Sequence, residues 1–120
     1  LAKYGMSVFM WSMAEEFRAD GIAFNCLWPR TTIATSAIKN LLGGDELMKR
    51  SRKPQIMADA AHWILTQPSR ECTGRFFIDD EALKEAGITD LADYSVVPGA
   101  ELAPDFFVPA PGSNNLVGRA

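Results

Sequence analysis

The sequence has few of the residues that build metal sites or cross-links, and it has no excess of basic charge. Its 120 residues include two cysteines and one histidine, too few for a disulfide framework or a cluster of metal ligands. The formal net charge of -3 at pH 7 gives no broad attraction to nucleic acid or to an anionic membrane surface. We therefore expect no metal, no nucleic-acid partner and no membrane partner, whereas small metabolites are compatible with this charge.

Long hydrophobic runs are also missing. No apolar stretch approaches the ~20 residues that cross a bilayer, and the N-terminus lacks the basic-then-apolar pattern of a signal sequence. Together with the low cysteine content, this predicts a soluble protein of the reducing cytoplasm. The chain opens at Leu1 without methionine, and a helical pattern begins at once with no capping residue before it, so we expect further sequence upstream.

The first third of the sequence predicts a helix followed by a strand. From residue 2 to about residue 19, apolar residues recur at helical spacing over a wide face, which predicts a helix buried on more than one side and closed by Gly21. The apolar run 22–28 lies between Gly21 and Pro29 and is too short for a helix. It predicts a strand covered on both faces, as in parallel sheets.

The remaining sequence continues this alternation. Residues 29–35 predict a threonine-rich loop, residues 36–42 a short helix stopped by Gly43 and Gly44, and residues 45–53 a charged, irregular stretch. Residues 54–67 carry apolar side chains at helical spacing behind a proline, which predicts a second amphipathic helix. The later segments are a strand at 74–79, a short helix at 80–86 closed by Gly87, an extended segment at 94–98 and a mobile tail at 109–120.

This order of elements indicates an α/β fold in which parallel strands are joined by right-handed crossovers. Two strands are fewer than the roughly four to six of an ordinary sheet. We therefore expect the remaining strands to come from sequence that precedes Leu1.

Four short motifs follow one another in an order that is typical of one family. Lys3-Tyr4-Gly5 opens the first helix, Asn25 and Pro29 mark the end of the buried strand, residues 33–35 form Ile-Ala-Thr, and Thr73-Gly74 precedes the last strand. This succession resembles the second half of a short-chain dehydrogenase/reductase, with its Tyr-x-x-x-Lys, Asn-x-x-x-Pro, Ile/Val-x-Thr and Thr-Gly motifs. The resemblance covers residues 1–108, and the segments 2–7, 27–31, 58–61 and 104–107 are similar to the hydroxysteroid-dehydrogenase-like subgroup.

The resemblance implies a Rossmann-like, doubly wound parallel sheet, of which residues 1–108 would form the C-terminal part. It also implies an oxidoreductase that transfers hydride between NAD or NADP and a carbonyl or alcohol substrate. By resemblance, Lys3 lowers the pKa of a catalytic tyrosine and holds the nicotinamide ribose hydroxyls. The alternative for Lys3 is a solvated surface lysine.

The loop after Pro29 would lie over the nicotinamide, because open α/β sheets bind ligands at the carboxyl ends of their strands. By resemblance, the Ile33 backbone pairs with the carboxamide, the Thr35 hydroxyl supports that contact, and Thr31 faces the same pocket. The alternative is that the two threonines make only turn and capping hydrogen bonds.

Two elements of the family's site are absent from the sequence. The tyrosine that should stand four positions before Lys3 would precede Leu1, and Tyr4 cannot replace it because Val8 follows four residues later. The glycine-rich turn that holds the dinucleotide pyrophosphate is also missing. We therefore expect the 120 residues alone to be inactive and the choice between NAD and NADP to be made elsewhere. The competing function is a catalytically silent member that serves binding or assembly.

Other polar residues favour structural roles. Asn25 within an apolar strand predicts a satisfied hydrogen-bonding side chain, and Arg30, where the family commonly has glycine, is interpreted as a subgroup trait. His62 has no catalytic partners near it in the sequence. We interpret the remaining charged clusters as solvated segments rather than phosphate or cation sites: Lys49, Arg50, Arg52 and Lys53, and Asp79, Asp80 and Glu81.

The wide apolar face of the first helix also predicts subunit contacts. Its methionines, Val8, Trp11 and Phe17 spread beyond the single stripe that one sheet would cover. We expect this helix and residues 54–78 to form contacts in a homodimer or homotetramer. The competing explanation is that upstream sequence covers the same face in a monomer.

Overall fold

The computed structural model of the protein describes residues 2–42, 44–106 and 108. A π-helical turn spans Ile38–Leu42 and a 3-10 turn spans Ala92–Tyr94. The helices are α1 (Ala2–Glu16), α2 (Gly44–Lys49), α3 (Gln55–Leu65) and α4 (Asp79–Glu85), and the strands are β1 (Cys26–Trp28) and β2 (Phe76–Ile78).

The two strands are parallel neighbours, as the sequence predicts. Leu27 lies opposite Phe77, and Trp28 lies opposite Ile78. Because parallel strands need a long crossover, the segment between them carries the π-helical turn, α2 and α3. Both strands therefore end at the same edge of the sheet, from which residues 29–35 and α4 continue.

The hydrophobic core lies on β2, between α3 and α4. Helix α3 buries Ile56, Ala60 and Ile64, which recur every four residues and so share one face. The ring of Trp63 meets that of Phe77 edge-on, with centroids 6.0 Å apart. The predicted second amphipathic helix is therefore confirmed. The other buried members of the core are Cys72, Phe77, Ala82 and Leu83.

The first strand is shorter than predicted. Of residues 22–28, only Cys26–Trp28 are strand, and all three are half-buried rather than covered on both faces. The reason lies opposite residue 24: Gly74, at a φ of 71°, donates its N–H to the Phe24 carbonyl, and the Thr73 hydroxyl accepts the Phe24 N–H. A turn, not a strand, thus faces this part of the chain. The second strand is likewise shorter than the predicted 74–79.

The stretch 45–53 was predicted to be irregular, and this prediction is wrong for its first part, which belongs to α2. Asp45 and Glu46 lie in the first turn of α2 and Lys49 lies in its last turn, which matches the helix dipole. Lys49 donates to Glu46 at 2.8 Å. The charge order within the segment was therefore the signal for this helix.

The predicted ends of the helices and the predicted C-terminal segments agree only in part with the structure. Helix α1 ends at Glu16, three residues early, and helix α4 closes at Gly87, whose φ is 87°. The extended segment predicted at 94–98 is partly wrong, since Tyr94 ends a 3-10 turn and only Ser95 forms a bridge, with Arg52. Gly43 and the predicted tail at 109–120 lie outside the described residues.

Burial of α1 also differs from the prediction. Within the described residues, α1 buries only Ser7, Met10 and Ala14, a single stripe at spacings of three and four. One sheet face covers one stripe of a helix, so the other large apolar side chains of α1 are exposed in this structure, except Met13, which is half-buried.

Candidate functional site

The loop 29–35 leaves the sheet where β1 ends and is held by backbone pairing to Arg52. Arg52 donates its N–H to the Thr32 carbonyl at 3.0 Å and accepts the Ala34 N–H at 2.8 Å. Arg52 therefore brackets Ile33 in a parallel bridge. In this arrangement the N–H and C=O of Ile33 itself point away from Arg52. In the part of the chain that the structure describes, neither group has a hydrogen-bond partner.

Free backbone groups at this position are suited to a ligand. Ile33 is half-buried, and a half-buried N–H and C=O that are left without partners are costly. A planar primary amide offers a donor and an acceptor side by side and can satisfy both groups. The geometry of Ile33 thus fits the contact with a nicotinamide carboxamide that the sequence predicts.

The other loop residues differ in exposure. Thr31 is buried, its hydroxyl donates to the Thr32 carbonyl at 3.2 Å, and its backbone pairs with Pro104. This bond is of the local kind expected from the structural alternative for Thr31. Thr35 is exposed, and its carbonyl accepts the Lys39 N–H. Pro29 is half-buried at the exit of β1.

Lys3 lies in the first turn of α1, with its side chain exposed. The neighbouring residues tie this end of the helix to the end of β1: the Tyr4 and Trp28 rings are 5.4 Å apart, and the Trp28 indole N–H donates to the Ser7 hydroxyl at 3.2 Å. Because β1 ends at Trp28, Lys3 belongs to the same edge of the sheet as loop 29–35. Its role in catalysis stays a prediction.

A charged cluster that the sequence did not predict, with Arg52 and Asp79 buried and Arg30 and Asp80 half-buried, lies at this edge. The Arg30 guanidinium binds Asp80 through Nε and Nη2, at 3.1 to 3.2 Å, and also binds Glu81. Arg52 Nη1 lies 3.6 Å from Asp80 Oδ2. Burial lowers the pKa of Arg30, but hydrogen bonds to Asp80 and Glu81 outweigh it and leave this pKa above its usual value.

Asp79 completes the cluster with a fully buried side chain. Its Oδ1 accepts the backbone N–H of Arg30 at 3.0 Å and that of Asp80 at 2.8 Å. Burial raises the pKa of Asp79, and these two hydrogen bonds oppose the rise. The interpretation of residues 79–81 as a solvated turn is therefore wrong for Asp79 and Asp80, whereas Glu81, in the same helix, is exposed. The sequence signal that could have indicated this cluster is the pairing of the two predicted parallel strands. Because Trp28 lies opposite Ile78, the charged residues that follow each strand are brought together.

The remaining candidates have structural surroundings. Asn25 donates to the Cys72 carbonyl and accepts the Arg75 N–H, both at 3.0 Å, so its predicted structural role is confirmed. Within the basic cluster, Arg52 is buried, which corrects its interpretation as solvated; Lys49, Arg50 and Lys53 are exposed. His62 is exposed on α3.

Metal-ligand clusters and long apolar helices are two further features to consider in the described residues. Within these residues, no three or more His, Cys, Asp or Glu side chains are grouped so that they could hold a metal ion. No helix among the same residues has both the length and the apolar character needed to cross a bilayer.

Relatives of the chain are found among known protein sequences and among solved structures. No protein-family model matches the chain. Hydroxysteroid dehydrogenase-like protein 2 of Danio rerio is 53% identical over 108 residues, 90% of this chain, and the protein of the same name from Homo sapiens is 47% identical over the same length. The chain spans about a quarter of the length of these curated relatives.

Solved structures show the same relationship. A crystal structure assigned as a dehydrogenase, from Xanthomonas campestris, superposes with a TM-score of 0.84 at 51% identity, covering 92% of this chain and 40% of the other. A short-chain dehydrogenase of Mycobacterium thermoresistibile gives a TM-score of 0.81 at 51% identity, covering 98% and 42%. By sequence and by fold, the chain therefore belongs to the short-chain dehydrogenase/reductase family and corresponds to the C-terminal part of that family's domain.

Proposed function

We propose that the full-length protein transfers hydride between NAD or NADP and a carbonyl or alcohol substrate. The observation that carries this proposal is the backbone of Ile33, whose N–H and C=O lie at the carboxyl edge of a parallel sheet and have no partner among residues 2–42, 44–106 and 108. The relatives named as dehydrogenases support it. When bound, the nicotinamide cofactor supplies the hydride chemistry, and the protein positions the reactants and controls the proton.

Each predicted site residue has a distinct task in this proposal. The Ile33 backbone orients the carboxamide, the Thr35 hydroxyl supports that contact, and Pro29 and Thr31 shape the loop around it. The Lys3 ammonium holds the ribose hydroxyls and lowers the pKa of a tyrosine phenol from its usual value of about 10, so that the phenol can exchange a proton near neutral pH. That tyrosine is the residue expected four positions before Lys3.

The substrate of this proposal is a carbonyl or alcohol compound as a class, and the cofactor is NAD or NADP. The word hydroxysteroid belongs to the names of the curated relatives and is no evidence for a steroid here. The 120 residues contain neither a Tyr-x-x-x-Lys motif nor a glycine-rich turn. We accordingly propose that they are inactive by themselves and that activity requires the full-length protein.

The first prediction concerns Lys3. In the full-length protein, Lys3→Ala should lower kcat/KM for reduction of carbonyl compounds by about 10²- to 10⁴-fold, the range of positioned acid–base catalysis. The measurement is NADH or NADPH oxidation over a panel of aldehydes and ketones. Lys84→Ala, which removes an exposed lysine of α4, is the matched control and should leave the rate unchanged. A wild-type protein that binds neither cofactor would favour the catalytically silent alternative.

Two further proposals concern assembly and location. We propose a homodimer or homotetramer that forms through α1 and the region from α3 to β2, because large apolar side chains such as Trp11, Leu65 and Phe76 are exposed there. We also propose a cytoplasmic location. It is supported by Cys26 and Cys72, both of which are free thiols and fit a reducing compartment.

A further inference from the structure

The Asp80 carboxylate is the centre of the charged cluster at the carboxyl edge of the sheet. It receives the forked guanidinium of Arg30 at 3.1 to 3.2 Å and lies 3.6 Å from Arg52 Nη1. The side chains of Asp80, Arg30 and Arg52 are 18%, 11% and 10% exposed. Ion pairs that are so little exposed are weakly screened by solvent, and a forked arginine fixes direction as well as distance.

Both arginines belong to the segments that frame Ile33. Arg30 lies three residues before Ile33, and its N–H is held by Asp79. Arg52 brackets Ile33 through the Thr32 carbonyl and the Ala34 N–H. The Asp80 carboxylate of α4 therefore binds the start of the loop 29–35 through hydrogen bonds to Arg30. It also forms an ion pair, without a hydrogen bond at Nη1, with Arg52, the residue against which the middle of that loop is paired.

We propose that Asp80 is a positioning residue for the nicotinamide-binding loop and acts through Arg30 and Arg52 on the orientation of the Ile33 backbone. This inference rests on the proposed function, and it assigns Asp80 no contact with reacting atoms. Displacement of a binding group by about 1 Å can cost up to 10²-fold in catalysis. A loop held by one carboxylate at two points is therefore sensitive to the loss of that charge.

The simpler alternative is that Asp80 only stabilises the unit of β2 and α4. Both of its arginine partners lie outside that unit, in the loop 29–35 and in the segment paired with it. The same helix offers a comparison in Glu85, which pairs with Arg75 at 2.6 Å. Arg75 precedes β2, so this second ion pair lies away from the edge from which the loop begins.

The test measures binding of the whole dinucleotide and of its adenine half in the full-length protein. Kd is determined by calorimetry for NAD⁺ or NADP⁺, whichever the wild type binds, and for ADP-ribose or its 2′-phosphate. Asp80→Asn should raise the Kd of the dinucleotide by about tenfold or more. The Kd of the ADP-ribose compound should stay within about twofold of the wild-type value. Asp80→Glu, which keeps the charge, should recover part of the loss, and Glu85→Gln should change neither constant.

Three outcomes contradict parts of this argument in distinguishable ways. The inference alone is overturned if the Asp80→Asn variant binds the dinucleotide with the wild-type Kd. It is also overturned if the variant binds the dinucleotide and the ADP-ribose compound more weakly by the same factor. A wild type that binds neither compound overturns the proposed function and the inference with it. If Asp80→Asn does not fold, Arg30→Lys is judged by the same criteria, since lysine keeps the charge but loses the guanidinium fork.

Discussion

At the residue scale, the hydroxyl of Tyr94 connects the 3-10 turn to α3. It donates to Asp59 Oδ2 at 2.6 Å, and Gln55 donates to the other oxygen of the same carboxylate at 2.7 Å. These two hydrogen bonds lower the pKa of Asp59, and the one from Tyr94 has the larger effect. The hydrogen bond to Asp59 is also the main reason why the pKa of Tyr94 is raised to about 12, and burial of the tyrosine contributes less.

This pair predicts a loss of stability at alkaline pH. The folded pKa of Tyr94 is about 12 and lies above the unfolded value of about 10, so the stabilisation is complete below about pH 10 and declines as the pH rises through 12. Tyr94→Phe should lower the free energy of unfolding by about 1 kcal/mol near neutral pH. Urea unfolding at several pH values should show this difference shrinking above about pH 10. A constant difference would contradict the assignment.

At the element scale, the turn that ends α1 depends on Gly21. Its φ is 73°, in the left-handed region that glycine adopts without strain. A Cβ on Gly21 would lie 2.8 Å from the guanidinium carbon of Arg70. Arg70 donates to the Ala19 carbonyl at 3.5 Å, so the turn after α1 and the loop that follows α3 are packed together at this point.

Two glycine substitutions should therefore change stability in opposite directions. Gly21→Ala should lower the free energy of unfolding by about 1 to 2 kcal/mol, because alanine is strained at this φ and displaces Arg70. Gly5→Ala, inside α1 with no atom of the described residues within 4 Å of the new Cβ, should raise it by about 0.5 to 1 kcal/mol. Chemical denaturation of both variants provides the measurement. Equal destabilisation by the two would contradict the role assigned to Gly21.

At the scale of the whole molecule, α1 presents a broad apolar surface. Met6, Val8, Phe9 and Trp11 are 64%, 62%, 66% and 63% exposed. Leu65 at the end of α3 and Phe76 of β2 are also exposed. Contiguous apolar patches of this kind are unusual on a protein surface and mark contacts with other chains or segments. The surface supports the proposed homo-oligomer and equally the competing cover by upstream sequence.

A charge placed on this surface separates the two explanations. In the full-length protein, Trp11→Glu should convert the oligomer to monomers with an unchanged circular dichroism spectrum, because an ionised carboxylate is not tolerated in an apolar contact. Sedimentation velocity at micromolar concentration gives the mass. Thr89→Glu, at an exposed position outside α1 and outside the region from α3 to β2, is the control for added charge. A wild type that sediments only as a monomer would rule out the oligomer, and a Trp11→Glu variant that unfolds would favour intramolecular cover.

The sequence by itself determined the features that depend on local pattern. Helix α3, the parallel order of the strands and the glycine closing α4 follow from spacing and turn chemistry that neighbouring residues share. The structural role of Asn25 also followed, since a polar side chain within an apolar strand must find partners. The family motifs also predicted Ile33 as a site residue, which stays a prediction, and the structure shows only that Arg52 pairs around it.

Only the tertiary structure decided how the edge of the site is built. Arg30 and Asp80 are 50 residues apart in the chain, so their pairing depends on the strand register rather than on any local pattern. The shortness of β1 depends on the turn at Thr73 and Gly74, which lies opposite it in space. Long-range contacts also bury Arg52 and Asp79, two residues whose charge alone indicated solvent exposure, because burial of charge is set by the partners that the fold supplies.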